Sequence, residues 1–268
     1  MPELPEMENY KKQLHPLIHG KKITAVDIER PKSLNVAPEL FAREVIGTSI
    51  KDIERRAKHI LFHLSSGKIL LLHLMLGGSM FFGSEADKPD RTVQVTLSFG
   101  DKQLYFIGLR LGYLHVHTVD EVDGLLEKLG PEPLDRGFKL PDFKTRISAK
   151  TTNLKVTLVD QGFLSGIGNC YSDEICFDAR LLPARRANSL NPTEQVQLYE
   201  SMQSVLKEAI RYGGYMEPLF AGDKVTGQFD SMCKVYDREG EPCARCGHPL
   251  IKRELSAKKC FYCSNCQR

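Results

Sequence analysis

The sequence predicts an α+β chain of more than one domain. Three observations carry that prediction: short β-type runs between about residues 22 and 116, helical periodicity beyond a proline-bearing linker, and two cysteine pairs near the C-terminal end. A length of 268 residues suits one large or two modest domains, each burying its own core. With 41% hydrophobic and 26% charged residues the chain reads as globular, and no stretch approaches the ~18 apolar residues of a membrane span. The acidic start lacks the basic flank and apolar run of a secretory signal, so the cytoplasm is the expected compartment.

The chain opens Met1-Pro-Glu-Leu-Pro-Glu6. Methionine ahead of so small a residue is usually trimmed, which leaves Pro2 as a free secondary amine. An α-amino group has a reference pKa near ~7.7–8.0, about two to three units below lysine, so a useful fraction is nucleophilic at neutral pH. Such an amine attacks an aldehyde-level carbon to form an iminium ion, and the adjacent Glu3 can shuttle the protons. The same residues also suit a plain helix start, since proline and acids both favour a first turn. Met7, Tyr10, Leu14 and Leu17 then recur at helical spacing, with Gly20 as the stop.

From about Lys22 to Val116 the pattern turns to short strands such as Ile60–Leu64, Ile69–Leu74, Val93–Phe99 and Leu104–Ile107, separated by Gly, Ser, Pro and Asp. Closely spaced strands of this kind imply a sandwich or barrel. Leu129-Gly-Pro-Glu-Pro-Leu134 reads as the linker that ends the region. Beyond it lies a pair of short helices interrupted by Gly162 and by Gly166-Ile-Gly168. Asn191-Pro-Thr-Glu194 next starts a longer helix with an N-cap residue, proline and an acid, and its face Tyr199, Met202, Leu206 and Ala209 ends at Gly213-Gly214. The expected domains are 1–134, 135–230 and 231–268.

The strongest local signal is C-terminal. Cys243-Ala-Arg-Cys246 and Cys263-Ser-Asn-Cys266 are separated by sixteen residues, a spacing that fits one closed, tetrahedral, structural Zn2+ site. Duplication of the pair and a basic loop between the pairs weigh against a redox motif or disulfides. Cys260 competes as a ligand because two residues also separate it from Cys263; it is read here as an extra thiol, and Cys170, Cys176 and Cys233 as buried small side chains.

A net charge of +3 announces no partner, but its distribution does. Between Cys243 and Arg268 six bases face one acid, Glu254, and further basic groups lie at Arg55, Arg56 and Lys58 and at Arg180, Arg185 and Arg186. Three such patches point to a polyanion. The Gln161–Glu174 segment adds glycines and Asn169 in a turn between helices, suited equally to approaching a phosphate or to packing two helices.

Taken together, the Pro-Glu-Leu-Pro-Glu start, Arg55-Arg-Ala-Lys58, Leu129–Leu134, the Gly166–Glu174 turn and the Cys243–Arg268 segment resemble the bacterial formamidopyrimidine-DNA glycosylase family, relatives of endonuclease VIII. They occur in that family's order over essentially the whole chain, and Leu4 resembles the formamidopyrimidine branch. The resemblance implies an N-terminal β-sandwich carrying the first helix, then a helix–two-turn–helix module and a β-hairpin zinc finger, with double-stranded damaged DNA in the cleft between. It implies that Pro2 attacks C1′ of a damaged nucleotide, expels the base and forms a Schiff base, that Glu3 helps open the sugar ring, and that eliminations cut the strand. Glu6 resembles a supporting carboxylate. Lys58, Asn169 and Arg110 match positions that clamp phosphates, His73 and Arg91 fall at DNA-binding positions, and Lys258 stands where the family usually has arginine, which keeps the charge without the bidentate fork. Arg91 takes the place of a family histidine. The implied protein is a bacterial, nucleoid-associated monomer with no membrane and no small-molecule cofactor.

Two regions depart from the family. Leu76, Leu109 and Leu111 align with the Met, Arg and Phe that enter the duplex void, so the void fillers are leucines that neither stack nor hydrogen-bond; Met75 could substitute in a shifted register. After Gly213-Gly214 the family often continues with two threonines, then Leu, Arg and Asp, whereas this chain reads Tyr215-Met-Glu-Pro-Leu219. The leading functional expectation is a bifunctional DNA glycosylase and AP lyase. The alternatives are a damaged- or abasic-DNA binding protein with little turnover or with a lesion preference other than 8-oxoguanine, and a tautomerase using the terminal proline, for which the finger has no purpose.

Overall fold

Helix α1 (Leu4–Ile18) forms because Glu3 and Glu6 close a capping box at its start, while Met7, Tyr10, Leu14 and Ile18 present one fully buried face. That face packs on the core of two antiparallel sheets in the computed structural model, which describes residues 1–268. One sheet has the order β1-β6-β7-β5, built from β1 (Ala25–Ile28), β5 (Ser79–Gly83), β6 (Val93–Ser98) and β7 (Gln103–Ile107). The other has the order β2-β3-β4-β8, built from β2 (Ile50–Arg56), β3 (His59–Leu64), β4 (Ile69–His73) and β8 (Tyr113–His117). Leu70, Leu72 and Leu114 from one sheet and Val95, Leu104 and Phe106 from the other share a single core, with Phe62 set edge-on to Phe106 at 6.5 Å. This is the β-sandwich expected from the strand runs. Helix α2 (Pro38–Val45) adds Phe41 and Val45 to that core, and α3 (Val119–Leu126) covers the outer face of the second sheet through Val122.

The chain divides into two compact units, Met1–Glu127 with Tyr212–Gln228, and Lys128–Arg211 with Phe229–Arg268. Residues 212–228, which the expected boundaries place with the helical module, therefore group with the sandwich. Hydrogen bonds explain why. Phe82 of β5 donates its backbone N–H to the Leu219 carbonyl at 2.7 Å, and Asn9 and Gln13 of α1 donate to the Thr226 hydroxyl at 2.8 and 2.6 Å. Asp223 completes the knot by accepting from the Leu219, Val225 and Thr226 amides.

The second unit contains α4 (Leu140–Ser148), α5 (Leu154–Val159), α6 (Asn169–Asp178), α7 (Pro192–Arg211) and the hairpin β9 (Ile251–Leu255) and β10 (Lys258–Tyr262). The turn between α5 and α6 is held by Gln161, which accepts from the Gly166 amide at 2.9 Å and donates to the Ile167 carbonyl at 2.7 Å. Gly166 there has φ +93°, a left-handed backbone that favours glycine. The start of α7 follows the expected signal: Asn191 Oδ1 accepts from the Thr193 and Glu194 amides, and Glu194 accepts from the Asn191 amide.

Helix α6 carries two buried carboxylates that fix the C-terminal segment to it. Asp173 pairs with Lys155 at 2.7 Å, both side chains being fully buried, and its second oxygen accepts from the Phe261 amide of β10 at 3.0 Å. Glu174 accepts from the backbone N–H groups of Lys234, Val235 and Tyr236, each at 2.9 Å. Burial raises both carboxyls above their ordinary values, Asp173 to about 7, and the Lys155 charge and these amides act in the opposite direction. Removing one partner of so buried a pair typically costs about 3–5 kcal/mol, because the other charge stays behind unpaired.

Candidate active site and metal centre

Pro2 is buried immediately ahead of α1, and Glu3 is the N-cap residue of that helix. The two are positioned through Glu6, a fully buried carboxylate in the first turn. One Glu6 oxygen accepts from the Glu3 amide at 2.7 Å, and the other accepts from the Tyr215 amide at 3.2 Å. Gly214 lets the chain approach so closely: with φ +69°, a Cβ there would lie 2.2 Å from Glu6 Oε1. A single carboxylate thus fixes the helix start and the loop that follows α7. The sequence showed the Gly213-Gly214 pair only as a helix stop; its proximity to Glu6 follows from a contact across more than 200 residues that no local pattern reports.

Lys58 is buried in the β2–β3 turn, where Ala57 has φ +54°. Arg55 secures that turn by donating to the Ala57 carbonyl at 3.1 Å and to Glu8 of α1 at 2.9 Å. Burial alone would raise the Glu8 carboxyl, but the Arg55 hydrogen bond and charge hold it below the usual carboxylate range. Arg55 is therefore a structural cation rather than a free member of the basic patch in which the sequence placed it. The same holds for Arg185, whose guanidinium forms two bonds to Glu194, at 2.5 and 2.9 Å.

His73 ends β4 in a group of rings, 4.4 Å from His59 and 5.8 Å from Tyr113 between centroids. Burial depresses the imidazole to about 3, and the His59 and Lys58 charges add to the effect, so His73 is neutral at physiological pH. Its Nδ1 accepts from the Met75 amide at 3.2 Å, which leaves the proton on Nε2. His73 is thereby set as a neutral Nε2–H donor, a form suited to a phosphate oxygen.

The loops after β4 and β7 lie against one another through glycine. A Cβ on Gly108 would meet the Gly77 carbonyl oxygen at 2.2 Å, and one on Gly112 would meet the His73 carbonyl oxygen at 2.5 Å. Leu76 and Leu111 stand out from these loops at 67% and 63% exposure. Leu109, expected beside them as a void filler, does not. Its side chain is 0% exposed and belongs to the sandwich core, its amide donates to Gln94, and its carbonyl accepts from Ser33. An aliphatic chain at the foot of the loop gains by turning inward, whereas the neighbouring Arg110 is exposed. Met75 is half-buried with φ +52°. Arg91 donates to the Glu217 carboxylate and, at 3.4 Å, to Ser79, so it bridges the strand edge and the loop 215–223.

In the second unit Asn169 is the exposed first residue of α6, and its carbonyl accepts from Lys155 at 2.8 Å. Lys258 begins β10, after a turn in which Ser256 and Ala257 both have positive φ. The bond from Phe261 to Asp173 ties this hairpin to the helix that starts at Asn169. Nearby, the sulfurs of Cys243, Cys246, Cys263 and Cys266 all lie within 4.8 Å of one another, with Cys243–Cys266 at 3.9 Å and Cys246–Cys263 at 3.6 Å. Four thiolates at ~2.3 Å from a tetrahedral zinc stand about 3.8 Å apart, so the cluster fits that ion. Cys260 lies outside the cluster, its thiol directed to Asp173 and pushed up to about 12 by burial and that neighbouring charge.

Comparison with known proteins agrees with this geometry. Residues 1–113 match the Formamidopyrimidine-DNA glycosylase N-terminal domain, and residues 129–218 match the Formamidopyrimidine-DNA glycosylase H2TH domain. The formamidopyrimidine-DNA glycosylase of Listeria monocytogenes serovar 1/2a is 35% identical over 275 residues, with 100% of both chains covered. That of Pelotomaculum thermopropionicum is 34% identical, with 100% of this chain and 99% of its own covered. Among solved structures, a mutant of the Lactococcus lactis protein in complex with Fapy-dG-containing DNA gives a TM-score of 0.92 at 28% identity over 100% of both chains. The Lactococcus lactis protein with abasic-site DNA gives 0.90 at 28% identity over 99% of each.

The cysteine geometry makes a definite prediction. Purified protein should hold one zinc per chain; Cys263→Ser should lose the metal and weaken DNA binding together, while Cys260→Ser should retain both. Metal analysis with a DNA titration checks this, and loss of zinc in Cys260→Ser with retention in Cys266→Ser would overturn the ligand set.

Proposed function

The chain belongs to the formamidopyrimidine-DNA glycosylase family, as full-length relatives and two matching domains show, and from that premise we propose how its own residues perform the reaction. It is a base-excision repair DNA glycosylase with AP lyase activity, holding a structural zinc at its four clustered cysteines. The observation that supports the residue assignment most is the Glu6 carboxylate, which holds the Pro2-Glu3 start against one fixed point. With Met1 removed, the Pro2 nitrogen is a secondary amine at the head of a rigid helix. Its lone pair attacks C1′ of the extruded nucleotide and the base leaves with the glycosidic electron pair. Glu3 then gives a proton to the ring oxygen as the sugar opens to the iminium ion, and elimination from that ion cuts the strand.

Lys58, His73 and Arg110 of the first unit and Asn169 and Lys258 of the second are the proposed phosphate contacts. Arg91 joins them only by exchanging its Glu217 partner for a phosphate. The Cys243–Cys266 centre supplies no chemistry to the reaction; it shapes the hairpin that carries Lys258. We assign the partner as double-stranded damaged DNA, bound by a cytoplasmic monomer. No helix of the chain is long and apolar enough to cross a membrane.

Retaining Met1, or replacing Pro2 with Gly, should greatly reduce both base excision and borohydride trapping on abasic DNA. Glu3→Gln should keep DNA affinity and slow the reaction by roughly 10²–10⁴-fold. Mass-spectrometric mapping of the trapped sugar to Lys58 rather than Pro2 would overturn the assignment.

Leu76 and Leu111 can exclude water from the space left by an extruded base, but they make no directional contact with its orphaned partner. A directional contact is worth roughly 1–3 kcal/mol of base discrimination. Excision should therefore depend weakly on the opposite base, be poor for 8-oxoguanine paired with cytosine, and favour ring-opened or helix-distorting lesions whose extrusion costs less. Single-turnover rates on 8-oxoguanine opposite each normal base decide this, and a cytosine preference above about tenfold, roughly 1.4 kcal/mol, would contradict it.

A further inference from the structure

The phenolic hydroxyl of Tyr215 donates to the carbonyl oxygen of Met1 at 2.7 Å. That oxygen sits on the carbon bonded to the Pro2 nitrogen. When Met1 is absent and a sugar is joined to the same nitrogen, the carbon in that place is C1′. The Met1 carbonyl group thus stands in for C1′ and one of its substituents, and Tyr215 reaches that substituent with a hydroxyl. The placement is constrained from both sides: the Tyr215 amide donates to one oxygen of Glu6 at 3.2 Å, and the Glu3 amide donates to the other at 2.7 Å. A side chain at Gly214 would collide with the same carboxylate, so the tyrosine and the nucleophile are referenced to a single buried group.

We infer that Tyr215 is a substrate-contacting residue of the sugar chemistry, its hydroxyl hydrogen-bonding the ring oxygen O4′ while Pro2 is bonded to C1′; this rests on Pro2 being the nucleophile. The step balances without any further reactant. The Pro2 lone pair forms the N–C1′ bond, the base departs with the glycosidic electron pair, and the proton lost by the nitrogen reaches the base through solvent. The C1′–O4′ bond then breaks, its electron pair staying on O4′, which takes the proton of the Glu3 carboxyl while the nitrogen lone pair completes the iminium. Tyr215 keeps its own proton throughout. Its hydrogen bond strengthens as negative charge gathers on O4′, the kind of contact that accelerates a reaction because it is stronger in the transition state than before it. Of the groups C1′ retains once the base has gone, the hydrogen and C2′ cannot accept a hydrogen bond, which leaves O4′.

The test is Tyr215→Phe, which keeps the ring and removes the oxygen. On duplex DNA with a preformed abasic site, the variant should match wild type in affinity within about twofold and in thermal midpoint, while its single-turnover borohydride-trapping rate falls about tenfold or more, as expected when a hydrogen bond to a developing charge is removed. A trapping rate equal to wild type would overturn the inference. So would a loss of affinity or of thermal midpoint in proportion to the loss of rate, which would make the hydroxyl a structural group. Absence of any adduct with wild-type protein would instead overturn the reading of Pro2, so the two failures are distinguishable.

Discussion

A carboxylate with no exposure to water is an expensive thing to keep in a protein, and Glu6 is kept because the start of α1 and the loop after α7 meet on it. Its oxygens satisfy the amide that begins α1 and the amide of Tyr215, and the glycine between that tyrosine and α7 is the residue that allows the approach. The N-terminus of a chain is ordinarily its loosest part. Here it is tied at a helix cap to a side chain that the sandwich core holds in place through Met7 and Tyr10 of the same helix. The attack proposed for the terminal amine needs that constraint, because reactivity falls steeply when a reacting group is poorly oriented.

The second unit applies the same device to a different end. Asp173 and Glu174, neighbours on α6, receive amides from the hairpin and from the segment before it, so a stretch with a small apolar core is organised by buried acceptors and the cysteine cluster together. Lys155 joins this arrangement to the start of α6 by bonding both Asp173 and the Asn169 carbonyl. Cysteine cluster, ion pair and helix start thus flank one hairpin, which is bonded to α6 through Asp173.

Much of this was legible in the sequence where local pattern decides structure. The runs giving β3, β4, β6 and β7 are apolar enough to stand out, Asn191-Pro-Thr-Glu194 capped its helix as written, and the cysteine spacing identified its own cluster. Strand β2 was not legible, because only Ile50 and Ile53 face the core, a register shift lies between them, and the other residues are charged. Long-range contacts were equally invisible: Arg55 reads as a basic-patch residue until Glu8 is beside it, and Tyr215 as a mere departure from threonine until Met1 is. Leu109, expected as a void filler from the family resemblance, is fully buried in the sandwich core, where an aliphatic side chain has every reason to turn.

Glu6 holds the proposed nucleophile and its surroundings together, and amide hydrogen exchange in a Glu6→Ala variant, which removes both acceptor oxygens, measures this most directly. The Glu3 and Tyr215 amides should lose protection together, Met7 and later residues of α1 should stay protected, and the borohydride-trapping rate should fall with the two amides. A variant that exchanges both amides freely and still traps abasic DNA at the wild-type rate would contradict it.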